Sequence, residues 1–167
     1  IMTIQCISPI DGSTYAQRKT MSQTAADAAV VRAKFAQTAW AARPLLERIA
    51  LVRAGVAAVG AMNDAIVPEL AWQMGRPIRY GGEFGGFHER ASYMADIATD
   101  ALADIIVEDS DAFRRVIKRV PHGVVLVVAP WNYPYMTAIN TLAPALIAGN
   151  SVLLKHSSPT LLVGERI

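Results

Sequence analysis

One cysteine, Cys6, is present among 167 residues. No internal disulfide framework can therefore staple the fold, and a reducing, cytoplasmic setting is expected. Charge of one sign is equally scarce: the net charge is +2 and no long like-charge block occurs. That argues against nucleic acid and anionic membrane as partners. Ile1–Asp11 has neither a basic n-region nor an apolar h-region, so it does not read as a signal peptide. Tandem repeats and low-complexity segments are missing too. The G-x-G-x-x-G turn of an ordinary dinucleotide-binding unit appears nowhere in the chain.

What is present is hydrophobic, at 53% of residues, in a length suited to about one domain. From Val120 to Leu154 there is no Asp, Glu, Lys or Arg. Such a run is long enough to suggest a membrane span. Pro121, Gly123, Pro130, Pro134, Pro144 and Gly149 divide it into pieces too short for one. Val124–Val128 reads as a strand buried on both faces. Pro134–Ala148 reads as a helix, with Met136, Ile139, Leu142/Ala143 and Leu146 at helical spacing. Gly149 and Asn150, which both tolerate positive φ, close it. Ser151–Leu154 is a second apolar strand ending at Lys155. Together they form a βαβ unit with parallel strands and a right-handed crossover. Ligands of such sheets collect at the carboxyl ends of strands, here Ala129–Tyr133 and Lys155–Ser158.

Upstream, Ser8–Ser13 predicts a turn between short strands around Ile4–Ile7 and Thr14–Gln17. Thr24-x-x-Asp27 resembles a capping box, opening a helix to about Thr38 with Ala28, Val31 and Phe35 on one face. After Pro44, the stripe Leu45, Ile49, Val52, Val56 and Val59 predicts a core-facing helix. Asn63–Met74 is a third helix, disturbed at Pro68 and stopped by Gly75. Glu83–Leu102 is a fourth, lined by Phe84, Phe87, Ala91, Met94 and Ala98. Ile105–Glu108 and Arg114–Val120 read as antiparallel strands. Alternation puts Arg114 and Lys118 on one face and Arg115 and Arg119 on the other. That pattern suits edge protection or a subunit interface better than a basic binding face.

The turn at the first strand mouth reads Ala129-Pro130-Trp131-Asn132-Tyr133-Pro134. It resembles the Pro-Trp-Asn-x-Pro turn of the aldehyde dehydrogenase family. Ala145-x-x-Ala148-Gly149-Asn150 and Leu153-Leu154-Lys155 follow in the family's order and register. Gly75-Arg76-Pro77 resembles its G-K/R-P turn. Ser8–Ser13 resembles its N-P-x-x-G-E stretch, from which Ser8 and Ser13 depart. The resemblance covers nearly the whole chain and implies an α/β fold. Amino-terminal helices with a leading hairpin would occupy residues 1–103, oligomerisation strands 104–120, and the first βαβ of a Rossmann-like parallel sheet 121–167. A homo-dimer or homo-tetramer is expected from the same resemblance.

The resemblance also implies chemistry: oxidation of a small-molecule aldehyde to a carboxylic acid with NAD or NADP, by way of a cysteine thiohemiacetal. Asn132 would donate its side-chain amide to the oxyanion; the residues alone equally allow it to cap the helix at Pro134. Val128, Ala129, Pro130 and Trp131 would form the cofactor wall, although Trp131 also reads simply as an apolar lid. Lys155 would bind the adenosine ribose, with Ser157 and Ser158 in the same pocket; a solvated strand end is the plainer reading of Lys155. Tyr133 and Thr137 would face the substrate, while ordinary packing accounts for them almost as well. NAD-preferring members often carry glutamate at the position of Ser158, so NADP is expected to be accepted at least comparably.

One crossover helix cannot cover a parallel sheet, and the apolar segment after Ser158-Pro159 carries no cap. A longer protein is therefore expected, with the family's cysteine nucleophile, general-base glutamate and later glycine-rich motif beyond Ile167. Cys6 precedes every motif and reads as a buried small hydrophobe. A non-catalytic nucleotide-binding or assembly module is the alternative if the chain truly ends there.

Overall fold

The computed structural model describes residues 2–167. Strands β1 (Thr3–Ile7) and β2 (Thr14–Lys19) pair antiparallel around the Ser8–Ser13 turn. Gly12 takes φ 75° there, and the Ser13 amide donates to Asp11 Oδ1 at 2.9 Å. Helices α1 (Gln23–Ala41), α2 (Leu45–Ala61), α3 (Asn63–Met74) and α4 (Phe84–Ala101) follow. A 3-10 turn at Ile78–Tyr80 lies between α3 and α4. Next come the antiparallel pair β3 (Ile105–Asp109) and β4 (Arg114–Ile117), then β5 (Val124–Val128), α5 (Pro134–Ile147) and β6 (Ser151–Lys155). A 3-10 turn at Ser158–Thr160 and a short α6 (Val163–Arg166) complete the order. Among the described residues no helix is long and apolar enough to cross a membrane.

The core lies between helices. Ile49, Val52, Val56 and Val59 of α2 face Phe87, Ala91, Ala95 and Ala98 of α4 and Tyr135, Ile139, Ala143 and Ile147 of α5. Burying each large apolar side chain stabilises the fold by roughly 1.5–3 kcal/mol. Alanines on α4 let it approach α5 closely. At Gly86 an added Cβ would come within 2.5 Å of Met136 Sδ. This clamp between α4 and α5 sets where the amino end of α5 points.

β5 and β6 pair in parallel with Val124 opposite Ser151 and Val128 opposite Lys155. The Asn150 amide fastens the start of that pair. Its Oδ1 accepts from the Gly123 amide and its Nδ2 donates to Ala145 O, both at 3.0 Å. Gly149, at φ 92°, supplies the left-handed step alone, and no residue other than glycine has positive φ among the described residues. Asn150 thus acts through hydrogen bonds, not through the backbone freedom expected of it.

Several other expectations change. Ser22, not Thr24, caps α1, its Oγ accepting from the Ala25 amide at 3.2 Å. The stripe Val31 and Phe35 is solvent-facing, with Phe35 84% exposed. The inward side of α1 is made by Ala26, Ala29, Ala33, Gln37 and Trp40. Small alanines let the helix lie close to β5 and β6, and Trp40 Nε1 donates to Leu146 O at 2.8 Å. β5 is not buried on both faces: Val127 is buried, whereas Leu126 and Val128 are 64% and 66% exposed. α1 and α5 both pack on the pair, but neither covers those two side chains. β4 ends at Ile117 rather than Val120. All four basic side chains of that segment are exposed; Arg115 pairs with Glu108 at 3.0 Å, and Arg119 donates to Ala103 O at 2.8 Å.

Candidate active site

The parallel register brings two strand mouths to one edge. The Ala129 amide donates to Lys155 O at 3.0 Å, extending the ladder just past β5. Val128, Ala129, Pro130 and Trp131 consequently share an edge with Lys155, Ser157 and Ser158. Ala129 is buried, Pro130 half-buried, and Val128 and Trp131 are exposed. Lys155 is exposed and makes no ion pair among the described residues; Ser157 and Ser158 are half-buried. His156 turns from this edge toward α6, its ring occupying the space where a Gly164 Cβ would lie. Burial holds its imidazole below the ordinary value of 6.5; Glu165 opposes that shift and Lys155 reinforces it.

The edge offers apolar side chains at one strand mouth and, at the other, a lysine ammonium without an ion pair among the described residues, followed two and three positions on by half-buried serines. With no G-x-G-x-x-G, the first strand mouth is formed by side chains and a proline-flanked turn instead of glycine backbone.

Asn132 is exposed, and its side-chain amide makes no hydrogen bond among the described residues. It does not cap α5. The cap position belongs to Tyr133, with φ −139° and ψ 66° and no side-chain cap bond. The orphan amides of the first turn are served from elsewhere: Glu83 Oε2 accepts from the Met136 amide at 2.8 Å. Glu83 Oε1 accepts from Arg76 Nη1, also at 2.8 Å. Arg76 Nη2 donates in turn to Asn132 O at 3.1 Å. The Arg76 guanidinium lies 4.8 Å from the centre of the Tyr133 ring, within the range of a cation–π contact.

Glu83 and Arg76 are nearly enclosed, with side chains 2% and 12% exposed. Burial pushes the Glu83 carboxyl above the ordinary glutamate value. The Met136 amide, the Arg76 guanidinium and the Tyr135 amide pull it partly back. Sequence reasoning missed Glu83 as anything but a helix start. The available signal was a carboxylate set between glycine pairs, combined with a first turn of α5 that holds no acid of its own.

Beside this pair is a cleft of about 410 Å³ lined by Arg76, Tyr80, Gly86, Tyr133 and Met136 among others. Tyr133 reaches it; Thr137, half-buried one turn further on, does not line it. A separate apolar groove of about 160 Å³ runs between α2 and α5 and includes Leu51, Val56 and Leu142. It lies away from the strand mouths. Cys6 is fully buried, with Sγ donating to Pro159 O at 3.0 Å. Burial raises its thiol above the ordinary range, which disfavours the thiolate.

Residues 2–167 match the model of the aldehyde dehydrogenase family. The chain is 28% identical over 164 residues to a D-glyceraldehyde dehydrogenase (NADP(+)) of Picrophilus torridus, covering 98% of this chain and 33% of that protein. It is 36% identical over 142 residues to a benzaldehyde dehydrogenase [NAD(+)] of Pseudomonas putida, covering 83% of this chain and 28% of that protein. Among solved structures it resembles an NADP-dependent glyceraldehyde-3-phosphate dehydrogenase from Bacillus halodurans complexed with NADP. That match has a TM-score of 0.88 at 28% identity, over 98% of this chain and 36% of the other. The chain thus spans about a third of the length of such relatives.

Proposed function

The chain belongs to the aldehyde dehydrogenase family, and from that premise we propose that the whole protein oxidises an aldehyde to a carboxylic acid with NAD or NADP. In this reading a cysteine thiolate outside residues 1–167 attacks the aldehyde carbon. A C–S bond forms and the carbonyl π electrons move onto oxygen. As the carbonyl re-forms, hydride leaves the carbon; a nicotinamide cofactor, when bound, would supply the acceptor for it. Water then cleaves the thioester, releasing the acid and regenerating the thiol.

The part taken by these residues is stabilisation and orientation. Asn132 donates its side-chain N–H to the developing oxyanion, a neutral donor that needs no proton transfer. Val128–Trp131 wall the cofactor, while Lys155, Ser157 and Ser158 hold its adenosine end. Tyr133 lies toward the aldehyde, with Thr137 behind it. The exposed apolar residues of the β3–β4 ribbon, Ile105, Ile106, Val107 and Ile117, serve assembly into a homo-dimer or homo-tetramer.

The observation that carries this reading is the exposed, unbonded Asn132 amide on a proline-flanked turn at the edge shared with Lys155. The test is steady-state oxidation of a panel of aldehydes by the full-length protein with each cofactor, before and after thiol alkylation. The expected result is cofactor reduction that alkylation abolishes. Reduction that survives alkylation of every accessible thiol would remove the thiolate mechanism.

A further inference from the structure

We propose that Arg76 and Glu83 are positioning residues that hold the Trp131–Tyr133 turn, and with it the Asn132 amide, in reacting geometry. The proposal rests on the oxyanion reading of Asn132. Pro130 and Pro134 fix φ at their own positions and Pro134 restricts Tyr133, but neither proline fixes the peptide of Asn132. Trp131 and Asn132 are exposed, so packing does little to hold them. One ion pair reaches both the Asn132 carbonyl and the first turn of the helix that follows it. Arg76 Nη2 holds the Asn132 carbonyl at 3.1 Å, and the guanidinium lies against the Tyr133 ring at 4.8 Å. Glu83 Oε2 holds the Met136 amide at 2.8 Å, and its other oxygen closes the loop onto Arg76 Nη1 at the same distance.

The pair is anchored independently of the turn. Gly75, in the left-handed region at φ 75°, ends α3 and directs the chain into Arg76. Glu83 immediately precedes α4, whose packing on α5 fixes the distance between carboxylate and Met136. With the Glu83 side chain 2% exposed, water cannot substitute for either partner without a rearrangement. Loss of the brace leaves the Asn132 peptide free to rotate, and small misplacements of a reacting group cost rate steeply.

The test uses the intact protein. Glu83→Ala and Arg76→Lys should each lower kcat by about tenfold to a hundredfold, with KM for the cofactor little changed. Glu83→Gln, which keeps an acceptor for the Met136 amide, should restore part of the loss. On an Asn132→Ala background neither substitution should lower kcat much further, because the group they position is gone. Amide hydrogen exchange across Tyr133–Thr137 should quicken in Glu83→Ala, a readout independent of turnover. Losses that multiply with Asn132→Ala, or exchange unchanged in Glu83→Ala, would overturn the proposal. Should Glu83→Ala fail to fold, Glu83→Gln and Arg76→Lys carry the same comparison. If the wild-type protein oxidises no aldehyde, the functional reading falls while amide exchange still decides whether the brace exists.

Discussion

Replacing Ser158 by glutamate should turn the whole protein against NADP while leaving NAD turnover largely intact. Ser158 opens the 3-10 turn that follows β6, half-buried and three residues beyond the exposed Lys155. In the proposed site, the 2′-phosphate of NADP would meet a hydroxyl donor and an ammonium there, without a carboxylate. Ser158→Glu places a negative charge against that phosphate and gives Lys155 a competing partner. Two like charges about 5 Å apart at an effective dielectric near 20 repel by roughly 3 kcal/mol, less once salt screens them. A net effect of about 1–3 kcal/mol lowers NADP preference roughly 5- to 150-fold. The assay is kcat/KM for both cofactors on wild type and variant at one fixed ionic strength. Wild type should use NADP at least comparably to NAD. A wild type that already rejects NADP by about a hundredfold would refute the reasoning, since absence of a carboxylate at residue 158 could not then be deciding the preference.

Residues 1–167 expressed alone should aggregate and show no dehydrogenase turnover, because Leu126 and Val128 stay 64% and 66% exposed on an unpaired parallel edge. A soluble, cooperatively melting monomer in analytical ultracentrifugation and calorimetry would contradict that. His156 gives a pH signature with a definite sign. Burial lowers its native value below the ordinary 6.5, so the unfolded chain takes up the proton first. The stability it confers is complete above 6.5 and is lost as pH falls through the lower native value. In the intact protein, His156→Gln should flatten the fall in denaturation midpoint below pH 6.5; an unaltered slope would exclude His156 as its source.

Which parts of this fold could be read from the residues follows from what periodicity records. The stripe of α2 was legible because large apolar side chains repeat on the face that packs, as Ile49, Val52, Val56 and Val59 do; in α4 Phe87 marks the packed face and Ala91 and Ala98 continue it at helical spacing. α1 inverts that relation. Its packed face is mostly alanine, while Val31 and Phe35 look outward. A stripe of large residues marks an apolar face without saying whether this chain or another surface covers it. β5 misled for a related reason, since an unbroken Val-Val-Leu-Val-Val run declares two apolar faces but not two covering layers.

The turn at residues 129–134 was legible because strand, helix and the two prolines each constrain it locally, and the paired strands then bring Lys155 to the same edge. The brace was not. Glu83 reaches an amide at Met136 and Arg76 a carbonyl at Asn132, contacts 53 and 56 positions apart. Neither long-range hydrogen bond leaves a periodic trace. The alternative reading of Asn132 as the cap of α5 failed on the same point, since the capping carboxylate comes from another helix's threshold.

The most direct test of the account is the kcat of Asn132→Ala in the intact protein, measured together with cofactor affinity. If the side-chain amide donates to the oxyanion, turnover falls by about 10²–10³ while the dissociation constant for NAD or NADP stays near that of the wild type. A folded Asn132→Ala protein with wild-type turnover would contradict the central claim.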